Sequence, residues 1–343
     1  MVLYNADKKK RGHAIALYSG GLDSALAILM MQRQNIEITA LTFLTNFGCS
    51  ISDKSSCGGD PYPAAEKFGF KVKLMHLGDK FVDIVCNPKY GYGKNMNPCI
   101  DCRILMLREA KVFMELINAD FIVTGEVLGQ RPKSQRRDSM NVVRRDSDLG
   151  GLLVRPLSGK LFPETIPEKN GLIDRDLLEN ISGRSRKRQM DLAKQYGLDD
   201  YPNPAGGCLL TDPPFSKRLK DLFKHSKDFD LDDINLLRVG RHFRINEFTK
   251  VIVGRNEAEN NQIEQFAKPE HVKLEAINTG SPITLYIDSK GKSNIELAAA
   301  ITARYCKMKN ESEVEVECSN NDFNQKFKVA PADPKDISKF QIK

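Results

Sequence analysis

The amino-acid sequence predicts an α/β protein, a doubly wound and mostly parallel sheet followed by a smaller C-terminal α+β domain. Three observations predict it. Short apolar runs alternate with longer helix-like segments from Ala14 to Thr124, as parallel strands alternate with crossover helices. A glycine-rich turn, Ser19-Gly20-Gly21-Leu22-Asp23-Ser24, follows the first apolar run directly. Beyond Cys208 the character changes, with two prolines in Thr211–Phe215 and a charged stretch at Lys224–Asp233.

In chain order, Ala14–Tyr18 reads as a buried strand and Ala25–Gln34 as a helix. Ile38–Phe43 and Val72–His76 are further strands, Ile104–Ile117 has helical apolar spacing, and Phe121–Thr124 closes the series. Ligands of such sheets bind beyond the carboxyl ends of the strands. The proline and charge signals place a linker at 213–233, between a domain at 1–212 and a second at 234–330. In the second, Lys250–Val253, Ile283–Ile287 and Glu313–Glu317 resemble strands, and Glu257–Phe266 and Asn294–Cys306 helices. Residues 331–343 read as a loosely ordered tail.

A length of 343 residues suits two domains, since a domain takes roughly 100–200 residues. Apolar residues at 41% are enough for two cores. No run approaches the roughly 18–20 apolar residues of a membrane span. Ala14–Tyr18, after the basic Lys8–Arg11, is too short for a signal-peptide core. The expectation is therefore a cytoplasmic protein with no membrane partner. The net charge of +7 permits a polyanionic partner without demanding one. Two basic clusters sharpen this: Arg131, Lys133, Arg136, Arg137, Arg144 and Arg145, and then Arg184, Arg186, Lys187 and Arg188. Each suits a solvated surface or phosphate contacts, and two of them around one candidate site favour phosphate.

The glycine-rich turn carries the clearest chemistry. Glycines let the backbone turn tightly and approach a ligand, and free amides at a helix start hold an anion. Ser19 and Ser24 add hydroxyl donors, and Asp23 suits a magnesium ion. An ordinary capped glycine turn is the competing reading. Gly291-Lys292-Ser293 looks like the end of a Walker A loop, but Tyr286 occupies the position of its first glycine.

The six-residue string resembles the signature of the PP-loop ATP pyrophosphatases, which cleave ATP to AMP and pyrophosphate. Thr124-Gly125-Glu126-Val127-Leu128-Gly129-Gln130 followed by Ser134-Gln135 resembles a segment of the tRNA 4-thiouridine synthetases. That resemblance implies that Ser19, Gly20, Gly21, Asp23 and Ser24 hold the phosphates with Mg2+, and that Thr42 and Phe43 border adenine. It also implies that Arg103, Gly125 and Gln135 contact ATP. Those enzymes carry a long N-terminal RNA-binding region, whereas this phosphate loop begins at residue 19, so the C-terminal unit is expected to serve instead.

Eight cysteines in a cytosolic chain point to metal or redox chemistry rather than disulfides. Cys99-Ile100-Asp101-Cys102 follows Asn97-Pro98 at a helix start, and Cys208 ends the flexible Asn203-Pro204-Ala205-Gly206-Gly207 loop. Three thiolates leave one coordination position open. The set resembles the 2-thiouridine synthetases, and also the tRNA thiolases that hold a [4Fe-4S] cluster through three cysteines. The second likeness implies Cys99, Cys102 and Cys208 as iron ligands. Without a cluster, Cys208 would carry a persulfide that Cys102 resolves. A structural zinc site recruiting Cys49 or Cys57 is a further alternative. Cys86, Cys306 and Cys318 read as small core or surface residues, and His242 as a surface or packing residue.

Val239–Phe243, Lys250–Arg255, Asn256 and Asn260 resemble the RNA-binding domain named after the NFACT proteins. Arg238, Arg241, Arg244 and Arg255, interleaved with Phe243 and Phe248, suit backbone contact with base stacking. A small packing or dimerisation domain is the alternative, which leaves a homodimer open. Together these readings predict a tRNA sulfurtransferase that adenylates a uridine, with Asp23, Cys102 and Cys208 catalytic and sulfide or a cysteine desulfurase as sulfur donor. 4-Thiouridine is favoured over 2-thiouridine. An amidating PP-loop ligase and a non-catalytic, nucleotide-regulated RNA-binding protein are the rivals.

Overall fold

The computed structural model describes residues 11–47, 60–202, 208–291 and 293–343, and the chain divides into two compact units, Met1–Thr211 and Asp212–Lys343. The first contains β1 (Gly12–Leu17), α1 (Leu22–Gln32), β2 (Ile36–Leu44), α2 (Tyr62–Phe68), β3 (Lys71–His76), α3 (Gly78–Cys86), α4 (Cys99–Leu116), β4 (Phe121–Thr124), α5 (Arg137–Asp146), β5 (Leu153–Val154), α6 (Ile166–Lys169) and α7 (Lys187–Tyr196).

Its five strands form one parallel sheet in the order β3-β2-β1-β4-β5. β1 is central, which is why Ala14–Leu17 is an unbroken apolar run that is buried throughout. The strand order reverses between β1 and β4, so the turns after these two strands flank the crevice where such sheets bind ligands. Pairing of Leu17 with both Leu41 and Thr124 puts Tyr18–Ser19, Thr42–Leu44 and Gly125 along one carboxyl edge.

Every residue of α1 except Asp23 is buried. A helix that is apolar on all sides must be covered on all sides, and Leu192 and Ala193 of α7, with Leu178 and Ile181, share its core. The one residue of α1 left at the edge is an acid. α4 buries Ile100, Ile104, Leu107 and Met114 at helical spacing, and its first turn carries Cys99 and Cys102.

The second unit contains α8 (Pro213–His225), α9 (Leu231–Leu236), β6 (Arg241–Arg244), β7 (Thr249–Val253), α10 (Glu257–Gln265), β8 (Val272–Ala276), β9 (Thr284–Asp288), α11 (Ile295–Tyr305), β10 (Val314–Asn320), β11 (Phe323–Val329) and α12 (Pro334–Ser338). Its antiparallel sheet runs β11-β10-β8-β9-β7-β6. α11 supplies Ile295, Ala298, Ala299 and Ile301 to the core on one side, and Ile263 of α10 packs with Ile252 and Leu285 in a separate cluster.

Two boundaries differ from expectation. Most of the stretch expected as a linker, 213–233, is helical, with α8 over Pro213–His225 and α9 from Leu231, and only 226–230 lies outside a helix. Asp212 caps α8 by accepting Phe215 N at 2.8 Å, and Pro213 and Pro214 occupy the first helical positions, where a missing N–H costs nothing. The prolines read as a break are a helix start. The expected loose tail contains α12, buries Ile337 and pairs Gln341 with Phe243 at the edge of the sheet.

Candidate active site

The turn after β1 is built around two glycines. Gly20 adopts φ +71°, a left-handed conformation that side chains resist, and Gly21 is the N-cap of α1. Ser24 Oγ donates to Gly21 O at 2.9 Å and accepts Ser19 N at 3.3 Å, with Ser19 Oγ 3.4 Å away. The two hydroxyls close the turn on itself and leave its amides at the start of the helix.

Gly125, at the end of β4, lies flat against this turn. A Cβ there would sit 2.5 Å from Asp23 C, Asp23 O and Ser24 N, closer than any real contact. The next residue, Glu126, is 2% exposed and ion-paired on both sides, to Arg155 Nε at 2.9 Å and Arg103 Nε at 3.3 Å. Thr124 Oγ1 donates to it as well, at 3.1 Å. Burial pushes its pKa up, but Arg155 and Arg103 outweigh burial and hold the carboxyl below its ordinary value. Arg103 is thereby anchored at its Nε beside Gly125 while its side chain remains partly exposed.

Asp23 is held by an amide relay. Gln130 Nε2 donates to Asp23 Oδ2 at 2.6 Å, and Gln189 Nε2, on α7, donates to Gln130 Oε1 at 2.9 Å. Burial raises the pKa of Asp23, partly offset by Gln130 and by Arg186 and Arg131 nearby. Its other oxygen, Oδ1, is buried with no hydrogen-bond partner among the described residues. This orphaned carboxylate oxygen and the cradle that admits no Cβ fit a nucleotide with a divalent cation. Magnesium is ordinarily held by one or two carboxylates together with phosphate oxygens and water.

The remaining expected nucleotide residues lie on the same edge with other partners. Thr42 Oγ1 donates to Tyr18 O at 2.9 Å, which ties the ends of β1 and β2 together, and Phe43 is buried. Gln135 is buried, accepts Arg131 N through Oε1 at 3.1 Å and Gly129 N through its carbonyl at 2.7 Å, and so shapes the 129–135 loop.

Cys99 and Cys102 lie one turn apart at the start of α4, where the helix dipole favours a thiolate. Burial raises the pKa of Cys99, and Lys133, Arg131 and Arg103 pull it back. Asp101, between the two cysteines, has a structural role: its carboxylate accepts Lys89 N at 3.0 Å and Tyr90 N at 3.1 Å. Cys208 opens a short turn, Leu209–Thr211, and its carbonyl accepts Thr211 N and Thr211 Oγ1. That turn is stitched to the segment before α4. Met96 N donates to Leu210 O at 3.1 Å, and Asn95 Nδ2 to Thr211 O at 2.7 Å. Residues far apart in sequence thus tie the Leu209–Thr211 turn to the segment that leads into α4.

Among the described residues, however, no three His, Cys, Asp or Glu side chains could hold a metal ion. The expected three-cysteine iron–sulfur site is not an assembled ligand set. Cys49, Cys57 and the Asn203–Gly207 loop lie outside the described residues. Cys306 and Cys318 are buried in the second unit's core.

Several basic residues expected at an RNA surface are engaged within the protein. Arg188 pairs with Glu179 at 2.5 Å, Arg137 donates to Leu161 O, and Lys133 to the carbonyl of Tyr92. In the second unit Arg244 forks onto Asp221 at 2.7 and 3.0 Å, Arg255 pairs with Glu259, and Arg241 lies over the Tyr305 ring. Phe243, expected as a stacking platform, is 1% exposed in the core. His242 is a packing residue: it is fully buried, its Nε2 lies 2.8 Å from Val239 O, and burial holds its pKa well below the ordinary range.

Sequence reasoning missed Glu126, Arg155, Gln130 and Gln189 as parts of this site. Glu126 and Arg155 stand just past the apolar ends of β4 and β5, where a polar residue after a buried strand is a usable signal; Gln130 lies in the turn beyond. Gln189 had none, since it sits in a polar helix with nothing to separate it from its neighbours.

No helix among the described residues is long and apolar enough to cross a membrane. A glycine-built turn at the switch point of a parallel sheet, with an orphaned acid beside it, has the geometry of a phosphate site in an α/β unit. Comparison with known proteins narrows the class. Residues 9–161 match the family model of the thiamine biosynthesis protein ThiI, and residues 240–341 the NFACT protein RNA binding domain. A tRNA-specific 2-thiouridylase MnmA of Cytophaga hutchinsonii is 28% identical over 174 residues, which cover 45% of this chain and 46% of the relative. A probable tRNA sulfurtransferase of Thermococcus kodakarensis is 28% identical over 158 residues, 43% of this chain and 38% of the relative. A solved 4-thiouridine synthetase–RNA complex with bound ATP overlaps 55% of this chain and 52% of its own, at 18% identity and a TM-score of 0.31. The chain thus spans about half or less of the length of these two curated relatives. Residues 9–161 are thus similar to the ThiI family and residues 240–341 to the NFACT RNA binding domain.

Proposed function

We propose that the protein is an ATP-dependent tRNA sulfurtransferase that adenylates a uridine carbonyl and replaces its oxygen with sulfur. The observation that carries the reading is the position of Arg131, within electrostatic reach of both Asp23 and Cys99. That reach supports placing the phosphate turn and the head of α4 around one pocket. The two matched domains, one in a family with tRNA-modifying relatives and one for RNA binding, support tRNA as the substrate.

In this reading ATP lies with its phosphates on Ser19–Ser24, and the uridine oxygen attacks the α-phosphorus as pyrophosphate leaves. Magnesium, when bound at Asp23, supplies charge neutralisation for the phosphates. The turn's amides and Arg103 stabilise charge developing on the α-phosphate oxygens, the usual role of preorganised donors. The terminal sulfur of a Cys208 persulfide then attacks the activated ring carbon. Cys102 attacks the inner sulfur, a Cys102–Cys208 disulfide forms, and AMP departs with the original oxygen. Sulfide opens that disulfide at Cys208, which regenerates the Cys208 persulfide and frees the Cys102 thiol; alternatively an external dithiol restores both thiols and the persulfide of a cysteine desulfurase passes its outer sulfur to Cys208. The target is an unstacked base, because a base edge must reach the pocket. The resemblance of Thr124–Gln130 to the 4-thiouridine synthetases favours 4-thiouridine as the product.

The test is anaerobic turnover of tRNA with ATP and magnesium, read by nucleoside analysis, pyrophosphate release, and iron and sulfide content. Cys102→Ala and Cys208→Ala should each reduce thionucleoside at least a hundredfold while pyrophosphate release persists. Thiolation surviving both changes refutes the cysteine roles. Four irons per chain, lost together with any of Cys99, Cys102 or Cys208, would replace the persulfide with the [4Fe-4S] route.

A further inference from the structure

The start of α7 adjoins the phosphate turn but has no part in the reading above. Gln189, at the third position of this ten-residue helix, is fully buried. Its Nε2 donates to Gln130, which holds Asp23, and its amide also lies against the Asp23 carboxylate. Three atoms at this junction are buried with no hydrogen-bond partner among the described residues: Asp23 Oδ1, Gln189 Oε1 and Arg186 Nε. Proteins pair their buried polar atoms almost without exception. Three such atoms gathered around one carboxylate make this junction a candidate place for a further ligand.

The atoms describe what that is. Two are acceptors, suited to a divalent cation or the protons of its water shell. The third is a guanidinium donor, suited to an anionic oxygen. Arg186 is the N-cap residue of α7 and makes no side-chain cap bond, while Ser185 Oγ accepts Lys187 N at 3.4 Å, so the guanidinium is not spent on the helix start. Arg131 adds a second cation within reach of Asp23. A cation and an anion bound side by side, opposite a turn that cradles phosphate, form a magnesium–polyphosphate unit.

We propose that the start of α7 is the second wall of the pyrophosphate seat. Arg186 binds the terminal phosphate oxygens of ATP, and Gln189 with Asp23 takes the accompanying cation or its waters. Gln130 is a positioning residue that couples the two walls. The assignment rests on ATP being the ligand of the phosphate turn. It moves Arg186 from the RNA surface, where charge alone places it, to the leaving group.

Calorimetry on the full chain tests it with magnesium pyrophosphate and, separately, with AMP, which lacks the two phosphates concerned. Arg186→Gln should weaken pyrophosphate at least tenfold and leave AMP within twofold, and Arg186→Lys should restore part of the loss. Lys194→Gln, which removes an exposed charge from the same helix, should change neither. In Gln189→Leu the strengthening of pyrophosphate binding by magnesium should shrink severalfold. Unchanged pyrophosphate affinity in Arg186→Gln overturns the proposal, as does an equal loss of AMP and pyrophosphate in a variant with a native circular dichroism spectrum. A wild-type chain that binds neither ligand would instead sink the ATP reading itself.

Discussion

Gly125→Ala isolates the fit between β4 and the phosphate turn. The backbone of Gly125 has no left-handed φ, so alanine brings no conformational strain of its own, and its whole effect is one methyl group. That methyl would lie 2.5 Å from Asp23 C, Asp23 O and Ser24 N, where ordinary contact begins at 3.4 Å. The turn, the strand end or both must move by about 0.9 Å to make room. All three atoms are backbone, and the turn is tied down by Ser24 and by β1, so no side chain can swing aside. Overpacking of this kind costs about 1–3 kcal/mol of stability, and a displacement of ~1 Å at reacting groups costs about a hundredfold in rate. Pyrophosphate release and ATP binding by calorimetry give the site effect, and thermal unfolding gives the stability effect. Gly69→Ala separates the two. That residue sits at φ +68° with open space around it, so alanine there should lower stability by ~1–2 kcal/mol without touching ATP. If Gly125→Ala keeps kcat/KM for ATP within threefold of wild type, the close approach is not what shapes the phosphate turn.

Three further outcomes follow from the same geometry. Glu126→Gln leaves Arg155, 5% exposed, without its partner and should cost about 3–5 kcal/mol. Because the folded pKa of Glu126 is held low, its stabilisation is present above the ordinary value near 4.3 and is lost as the pH falls. The acid limb of a stability–pH curve should therefore flatten in the variant, and a parallel curve would contradict the buried pair. Asp23→Asn should do the reverse: the raised folded pKa means that ionised Asp23 opposes folding at neutral pH. The variant should melt higher than wild type at pH 7, with the gap closing below pH ~4, while losing magnesium-dependent ATP binding; a lower melting point would count against this. Lys250, 5% exposed with its pKa pushed down to about 8, should stabilise the fold when changed to Met by about 2–3 kcal/mol at pH 7. Denaturant titrations should show that gain fading between pH ~8 and ~10.4 as the unfolded lysine also loses its charge, and a gain constant across that range would exclude the titration as its cause.

The parallel sheet was legible because burial on both faces makes a central strand apolar from end to end. Ala14–Leu17 and Phe121–Thr124 announce themselves for that reason. The turn after β1 was legible because only glycine tolerates its geometry. β5 was not: two residues, Leu153–Val154, pair with β4 inside an otherwise irregular segment, too short for any period. β8 and β11 were missed because their exposed positions carry charge, as in Val272-Lys273-Leu274-Glu275-Ala276, so neither reads as an apolar run. The prolines of α8 misled because the same residue ends one helix and begins another. Its capping aspartate, one position earlier, was the distinguishing signal. Phe243 and its flanking arginines looked like an RNA-binding stripe, and only pairing against β7 shows that the ring faces inward while Arg244 is held by Asp221.

The site shows a second kind of limit. Arg131, Lys133, Arg186 and Arg188 stand in runs of like charge, and sequence treats such a run as one surface. Folding sorts the run by partner. Arg188 goes to Glu179, Lys133 to backbone carbonyls, and Arg131 and Arg186 toward Asp23, while the isolated Arg155 and Arg103 go to Glu126. The sorting has an energetic cause: a guanidinium that loses water must gain a carboxylate or carbonyl, and the available carboxylates are fixed by strand ends. A charge cluster in sequence therefore overstates the polyanion surface and understates the active site. In this chain the arginines nearest Asp23 are those the fold leaves for a phosphate that arrives with its own cation. The affinity of the chain for tRNA should accordingly depend less on Arg186 than on residues of the cluster without an internal partner, whereas its affinity for pyrophosphate should depend on Arg186 first.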